Sequence, residues 1–304
     1  MSPADLEASI LARLRNYARQ HNKDFNASLQ FYAVERFLYR LAESPHRDDF
    51  VLKGGMAFLV WNIPLRRPTR DIDLRGFMRN DLDQVTETIR SICRQPVKPD
   101  GIQFDAGTVA GESIQKGAQY RGIRIKFTGQ ISTARTSMQL DINFHDEIMP
   151  PALDTDYPTL LPEMPAPHLR SYPPEVAIAE KLQAMVLLGD INSRLKDYHD
   201  IWLLAQNVKI EGETLCTAIT STFQRRKTPL PDETPFALTT DFAGNRQIEM
   251  WAALQNRSGA DALPITLQQA IIDIRAFAWP PLQAVANRQK FNQQWKPGGP
   301  WRQH

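Results

Sequence analysis

The stretch from Phe50 to Gly76 constrains the chain more than any other. Phe50, Val51 and Leu52 form a short apolar run that stops at Gly54-Gly55, and the apolar segment from Met56 to Trp61 reads as the start of a helix. A turn carrying Pro64, Arg66, Arg67 and Pro68 leads into Asp71-Ile72-Asp73-Leu74. Alternate side chains of a β-strand share a face, so Asp71 and Asp73 point one way while Ile72 and Leu74 point into a core. Two carboxylates about 7 Å apart along one strand repel each other, and folding gains nothing from that. A divalent cation relieves the repulsion, and Mg²⁺ is usually held by a few carboxylates plus substrate phosphates. A Gly-Gly pair at a helix start gives a backbone without Cβ atoms, whose amides can approach a phosphate. Taken singly, each half also fits a surface turn; together they point to a nucleotide site.

Gly54-Gly55 followed by Asp71-Ile72-Asp73 resembles the signature of the DNA-polymerase-β-like nucleotidyltransferase superfamily. The wider context, Leu52-Lys53-Gly54-Gly55 through Arg67-Pro68-Thr69-Arg70-Asp71-Ile72-Asp73-Leu74, is similar to the AbiEii-type nucleotidyltransferase toxins of bacterial type IV toxin–antitoxin and abortive-infection systems. Many superfamily members carry Ser as the second residue of the pair, where its hydroxyl contacts a phosphate. Here that residue is Gly55, so only backbone amides serve at that position.

The 304 residues suit one large or two modest domains. A hydrophobic content of 42% and a charged content of 23% are those of an ordinary globular protein. The net charge of +2 requires any basic surface to be local. Cys93 and Cys216 stand far apart without metal-ligand spacing, as expected of reduced thiols in a cytoplasmic protein. The first ten residues lack the pattern of a signal peptide, and no apolar run approaches the ~20 residues that cross a bilayer.

In chain order, helices are expected over about 4–20, 28–42 and 82–93. Strict alternation predicts strands at Gly122–Phe127 and Met138–Phe144. In the second, Leu140, Ile142 and Phe144 share one face and Asp141 and Asn143 the other. Asp141 then serves either as a third metal ligand or general base, or as a solvent-facing residue on an edge strand. The resemblance implies the former, because polymerase-β-like enzymes place a third carboxylate on a neighbouring strand. The prolines of 149–174 read as a linker between lobes.

Pro174 suits the first position of an almost wholly apolar helix, Glu175 to Leu188, in which Lys181 needs a partner. That partner is Glu180 or another acid, or else a nucleotide triphosphate. After Gly189 a second helix contains Lys196 and Asp200 at i,i+4 spacing, the arrangement of a simple salt bridge. Ala179-Glu180-Lys181-Leu182, Asn192-Ser193-Arg194 and Lys196-Asp197-Tyr198-His199-Asp200 resemble the second block of the AbiEii-type toxins, whose Lys and late Asp belong to the active site. By position these are Lys181 and Asp200; His199 is given no role. Beyond residue 207 the pattern is helical, at Glu213–Phe223, Ile248–Leu254 and Thr266–Phe277. Arg225-Arg226-Lys227 is either a phosphate-backbone contact or a solvated helix end. The tail from Trp295 to Trp301 reads as flexible.

The expected fold is therefore α/β (α+β). A polymerase-β-like nucleotidyltransferase lobe with a mixed sheet and N-terminal helices occupies 1–150, and a proline-rich linker 151–170. A mostly helical lobe, 171–304, completes the active site. The resemblance implies a metal-dependent nucleotidyltransferase toxin, cytoplasmic and not membrane-bound. It would transfer nucleotides from NTP to an RNA acceptor, the tRNA 3′ end, and be neutralised by a cognate antitoxin. Asp71, Asp73 and Asp141 are the expected Mg²⁺ (or Mn²⁺) ligands. Lys181 and Asp200 join them in catalysis, and Gly54, Gly55, Arg67, Lys181 and Lys196 hold the nucleotide. The alternatives are transfer to a small hydroxylated molecule, as antibiotic-modifying relatives do, and a non-catalytic nucleotide-binding module.

Overall fold

The computed structural model describes residues 2–64, 66, 69–116, 120–144, 148–258 and 262–303. The chain divides into two compact units. The first comprises Met1–Val60, Thr69–Glu147 and Leu153–Ser171, and the second Trp61–Pro68, Ile148–Ala152 and Tyr172–His304.

The first unit opens with two helices, α1 (Pro3–Gln20) and α2 (Phe25–Glu43). Each starts on a side-chain cap, Ser2 accepting from the Asp5 amide and Asp24 from the Ala27 amide. The strand β1 (Phe50–Lys53), a 3₁₀ turn over Gly54–Met56, the one-turn helix α3 (Ala57–Val60) and β2 (Ile72–Gly76) follow. Next come α4 (Leu82–Arg94), β3 (Gln103–Lys116), β4 (Tyr120–Ile131), β5 (Ala134–Phe144), β6 (Leu153–Asp156) and β7 (His168–Ser171). The strands make one seven-stranded mixed sheet in the order β3-β4-β5-β2-β1-β7-β6. The pairs β2/β5 and β1/β7 are parallel and the others antiparallel.

Register divides the sheet into two faces. Leu52, Leu74, Ile142 and Ile123 are mutual cross-strand neighbours on β1, β2, β5 and β4, and all are buried. α4 covers this apolar face over β3 and β4, and α2 packs on β5 and on α4. Phe37 of α2 meets Phe127 of β4 with ring centroids 5.1 Å apart. Beneath α2 the Arg40 guanidinium donates to both oxygens of Asp100 at 2.7 and 3.0 Å, so this buried pair is hydrogen-bonded on both sides.

The proline-rich 151–170 stretch is not simply a linker: it contributes β6 and β7 to the sheet. Its prolines at 158, 162, 165 and 167 fall in the connection between the two strands, and β6 is an edge strand. Neither position asks proline for a ladder hydrogen bond.

The second unit is mostly helical: α5 (Pro174–Leu188), α6 (Leu195–Asn207), α7 (Gly212–Arg225), α8 (Asn245–Ser258) and α9 (Leu267–Ala286), which continues past Pro280-Pro281. A small sheet of β8 (Ile210–Glu211), β9 (Gln293–Trp295) and β10 (Trp301–Gln303) is ordered β10-β9-β8. The tail expected to be flexible is thus pinned. Trp295 is buried and its Nε1 donates to the Ala205 carbonyl at 2.7 Å, while Trp301 stacks on Phe277 at 5.8 Å. Among the described residues no helix is long and apolar enough to cross a membrane.

Candidate active site

On the sheet face away from the apolar core, register builds a line of charges. Lys53 of β1 stands opposite Asp73 of β2, Asp73 opposite Asp141 of β5, Asp141 opposite Arg124 of β4, and Arg124 opposite Glu112 of β3. Directly opposed Cβ atoms lie about 5 Å apart, so the Asp73 and Asp141 carboxylates are neighbours. β5 lies between β4 and β2, which rules out the edge-strand alternative for Asp141.

The Arg124 guanidinium holds Asp141 from the far side: Nε donates to Oδ1 at 2.8 Å and Nη2 to Oδ2 at 3.0 Å. The Asp141 side chain is 4% exposed and that of Arg124 29%. Donating to Asp141 raises the Arg124 pKa, and Asp71 adds to the rise, which places Asp71 within electrostatic reach of the same guanidinium. Asp71 itself is exposed and immediately precedes β2.

Gly54 closes the other side of Asp73. Its φ is +67°, and a Cβ there would sit 2.2 Å from Asp73 Oδ2. Only glycine fits against this carboxylate, so the first glycine of the pair is explained by Asp73 itself. Gly55 is buried in the 3₁₀ turn. The expected helix start is a single turn, α3, so its dipole contributes little anion attraction.

Two arginines escaped the sequence reading. Arg75, two residues beyond Asp73 on the same face, is buried, and its guanidinium lies 5.6 Å from the Phe77 ring. Period-2 counting from Asp71 and Asp73 was the available signal for it. Arg124 sits on the polar face of an alternating strand, but the partner that register gives it cannot be read from alternation.

The second unit gathers the other block. Lys181 Nζ of α5 donates to Asp200 Oδ2 at 2.8 Å and to Asp197 Oδ1 at 3.0 Å, both on α6. Arg194 Nε donates to Asp197 Oδ2 at 2.6 Å, and His199 Nδ1 lies 3.3 Å from Asp200 Oδ1. The Lys181 side chain is 15% exposed and both aspartates are buried. Lys181 and Asp200 thus meet, although spacing alone pairs Asp200 with Lys196 and offers Glu180 or another acid to Lys181. The acids are Asp197 and Asp200, whereas Glu180 takes Arg225 and Arg226 and accepts from the Tyr172 hydroxyl. Asp197 and Asp200 are i,i+3 on one helix face, the signal for a shared partner. The Arg225-Arg226 pair is accounted for by Glu180 and Gln183 within its own unit. Lys196 is exposed, and Arg67 lies outside the described residues.

Oxygen-only donors on neighbouring strands suit a hard divalent cation that keeps phosphate oxygens and waters in its shell. Among the described residues, however, no three acidic, His or Cys side chains stand together in a group that could hold an ion.

The family model described as nucleotidyl transferase AbiEii toxin, type IV TA system, matches residues 36–285. No curated protein matches the sequence. Two solved Helicobacter pylori structures are similar. One, titled as a nucleotidyltransferase, is 12% identical with a TM-score of 0.43, covering 84% of this chain and 95% of that one. The other, JHP933, is 13% identical with a TM-score of 0.42, covering 83% and 89%.

Proposed function

The chain belongs to the nucleotidyl transferase AbiEii toxins of type IV toxin–antitoxin systems, and from that premise we propose metal-dependent transfer of a nucleotide from NTP to an RNA acceptor, the 3′ end of tRNA. The family makes the chain a nucleotidyltransferase and implies an antitoxin partner. The observation that carries the finer reading is the in-register pair Asp73–Asp141 with Gly54 packed against Asp73.

In this reading Asp71, Asp73 and Asp141 hold Mg²⁺ or Mn²⁺, which when bound polarises the phosphate as a Lewis acid. In the same reading Asp141 accepts the proton of the attacking hydroxyl, in competition with Arg124 for its oxygens. The Gly54–Gly55 backbone and Lys53 flank the carboxylates and offer donors to phosphate. Lys181 is the further phosphate-neutralising cation, exchanging an aspartate for a phosphate, and Asp200 holds it in the meantime. Lys196 and Arg67 are the further cations assigned to the nucleotide in this reading.

Incubating the pure protein with total tRNA, Mg²⁺ or Mn²⁺ and each labelled NTP in turn tests the reading. Label on the tRNA 3′ end is the expected result. Label on a small hydroxylated acceptor instead of RNA overturns the acceptor assignment, and no transfer to any acceptor overturns the reading.

A further inference from the structure

We propose that Arg124 is a latch on the third carboxylate: it keeps Asp141 out of the metal site until a triphosphate draws the guanidinium away. The inference rests on the metal-dependent reading above. It begins with the charge sequence across the sheet, Lys53, Asp73, Asp141, Arg124, Glu112. Two neighbouring carboxylates favour positive partners, and Arg124 is one, on Asp141. Both Asp141 oxygens are engaged by one planar fork, so a cation or a proton has to share oxygens that the guanidinium already holds.

Exposure shows which partner moves. Asp141 is fixed in the middle of the sheet, with β2 on one side and β4 on the other, whereas the Arg124 side chain is 29% exposed and reaches over from its strand. Glu112, the other neighbour of Arg124, is paired with Lys126 Nζ at 3.1 Å. An arginine fork binds phosphate with the same bidentate geometry as carboxylate. A triphosphate arriving beside Asp73 therefore gives the guanidinium an equivalent partner and leaves the Asp141 oxygens to the cation. Metal and Arg124 then compete for Asp141, and nucleotide relieves the competition. In linkage terms the nucleotide raises metal affinity and the metal raises nucleotide affinity by the same factor.

The test is Mn²⁺ binding to the full chain without nucleotide, followed by the electron paramagnetic resonance signal of free Mn²⁺, for wild type, Arg124→Gln, Arg124→Lys and Asp73→Asn. Removing the competitor should tighten Mn²⁺ binding by about tenfold in Arg124→Gln, the equivalent of one charge-assisted contact. Arg124→Lys, a point charge without the fork, should fall between. In steady-state transfer, Arg124→Gln should raise the KM for NTP more than it lowers kcat, because the guanidinium no longer meets the triphosphate. Unchanged Mn²⁺ affinity in Arg124→Gln overturns the latch and leaves Arg124 a structural partner of Asp141. Should Arg124→Gln not fold, the Lys variant carries the comparison, and equality with wild type is then the overturning result. Asp73→Asn separates the two levels: if it binds Mn²⁺ as wild type does, the metal reading of the carboxylates fails, whereas its loss beside an unchanged Arg124→Gln refutes only the latch.

Discussion

Asp73 and Asp141 stand directly opposite each other on the parallel strands β2 and β5, one residue from each, on the polar face of the sheet. Gly54 completes this arrangement, since a Cβ there would lie 2.2 Å from Asp73 Oδ2. Gly54→Ala combines that collision with a left-handed φ of +67° that alanine adopts only at a cost of about 1–2 kcal/mol. The variant should unfold at lower urea concentration and lose transfer activity together, because Asp73 must shift to admit the methyl group. An alanine variant with wild-type stability and turnover would show that the glycine is not required by Asp73.

Much of this site is legible in the sequence, for reasons that differ by residue. Period-2 alternation puts Asp71 with Asp73 and Asp141 with Asn143, and the apolar partners between them, Ile72, Leu140 and Ile142, are buried as alternation demands. Alternation fixes parity but not register: nothing in the strand sequences says that Asp141 meets Asp73 on one side and Arg124 on the other. The helical block named Lys181 and Asp200 without pairing them, and Asp197 was passed over although it shares a face with Asp200. Prolines misled at 151–170 because they mark the connection between β6 and β7 rather than the strands themselves. The tail misled because Pro and Gly suggested freedom where Trp295 and Trp301 supply the anchor.

Lys181 neutralises two buried carboxylates at once. Lys181→Met removes the ammonium that donates to both Asp197 and Asp200, which costs about 3–5 kcal/mol for a buried pair. Urea unfolding of both proteins checks this. Equal stability of the two would mean that the cluster contributes nothing to the fold.

Glu35 gives a pH dependence in the first unit. Its carboxyl lies 2.7 Å from Arg36 and accepts the Leu160 amide at 2.6 Å, yet burial outweighs both and pushes its pKa up from 4.5 to about 7. Below pH 4.5 the group is protonated in both states and its contribution to stability is fully present. As pH rises toward 7 the unfolded chain releases the proton first, so that stability is lost, by about 3 kcal/mol in total. Glu35→Gln has no proton to lose. Between pH 5 and pH 8 wild type should therefore lose roughly 2–3 kcal/mol more than the variant in urea unfolding. Parallel profiles would place the Glu35 pKa near its ordinary value.

The most direct measurement of the carboxylate row as a transfer centre is labelled-NTP transfer to total tRNA by wild type and Asp73→Asn, with thermal melting of both. Asp73→Asn keeps the shape of the side chain, removes one of two neighbouring charges and opens no cavity. The expected result is labelled RNA with wild type, none above background with Asp73→Asn, and cooperative melting of both proteins above the assay temperature. Transfer by Asp73→Asn at the wild-type rate, with the fold intact, would contradict the assignment of the Asp73–Asp141 pair as the catalytic centre.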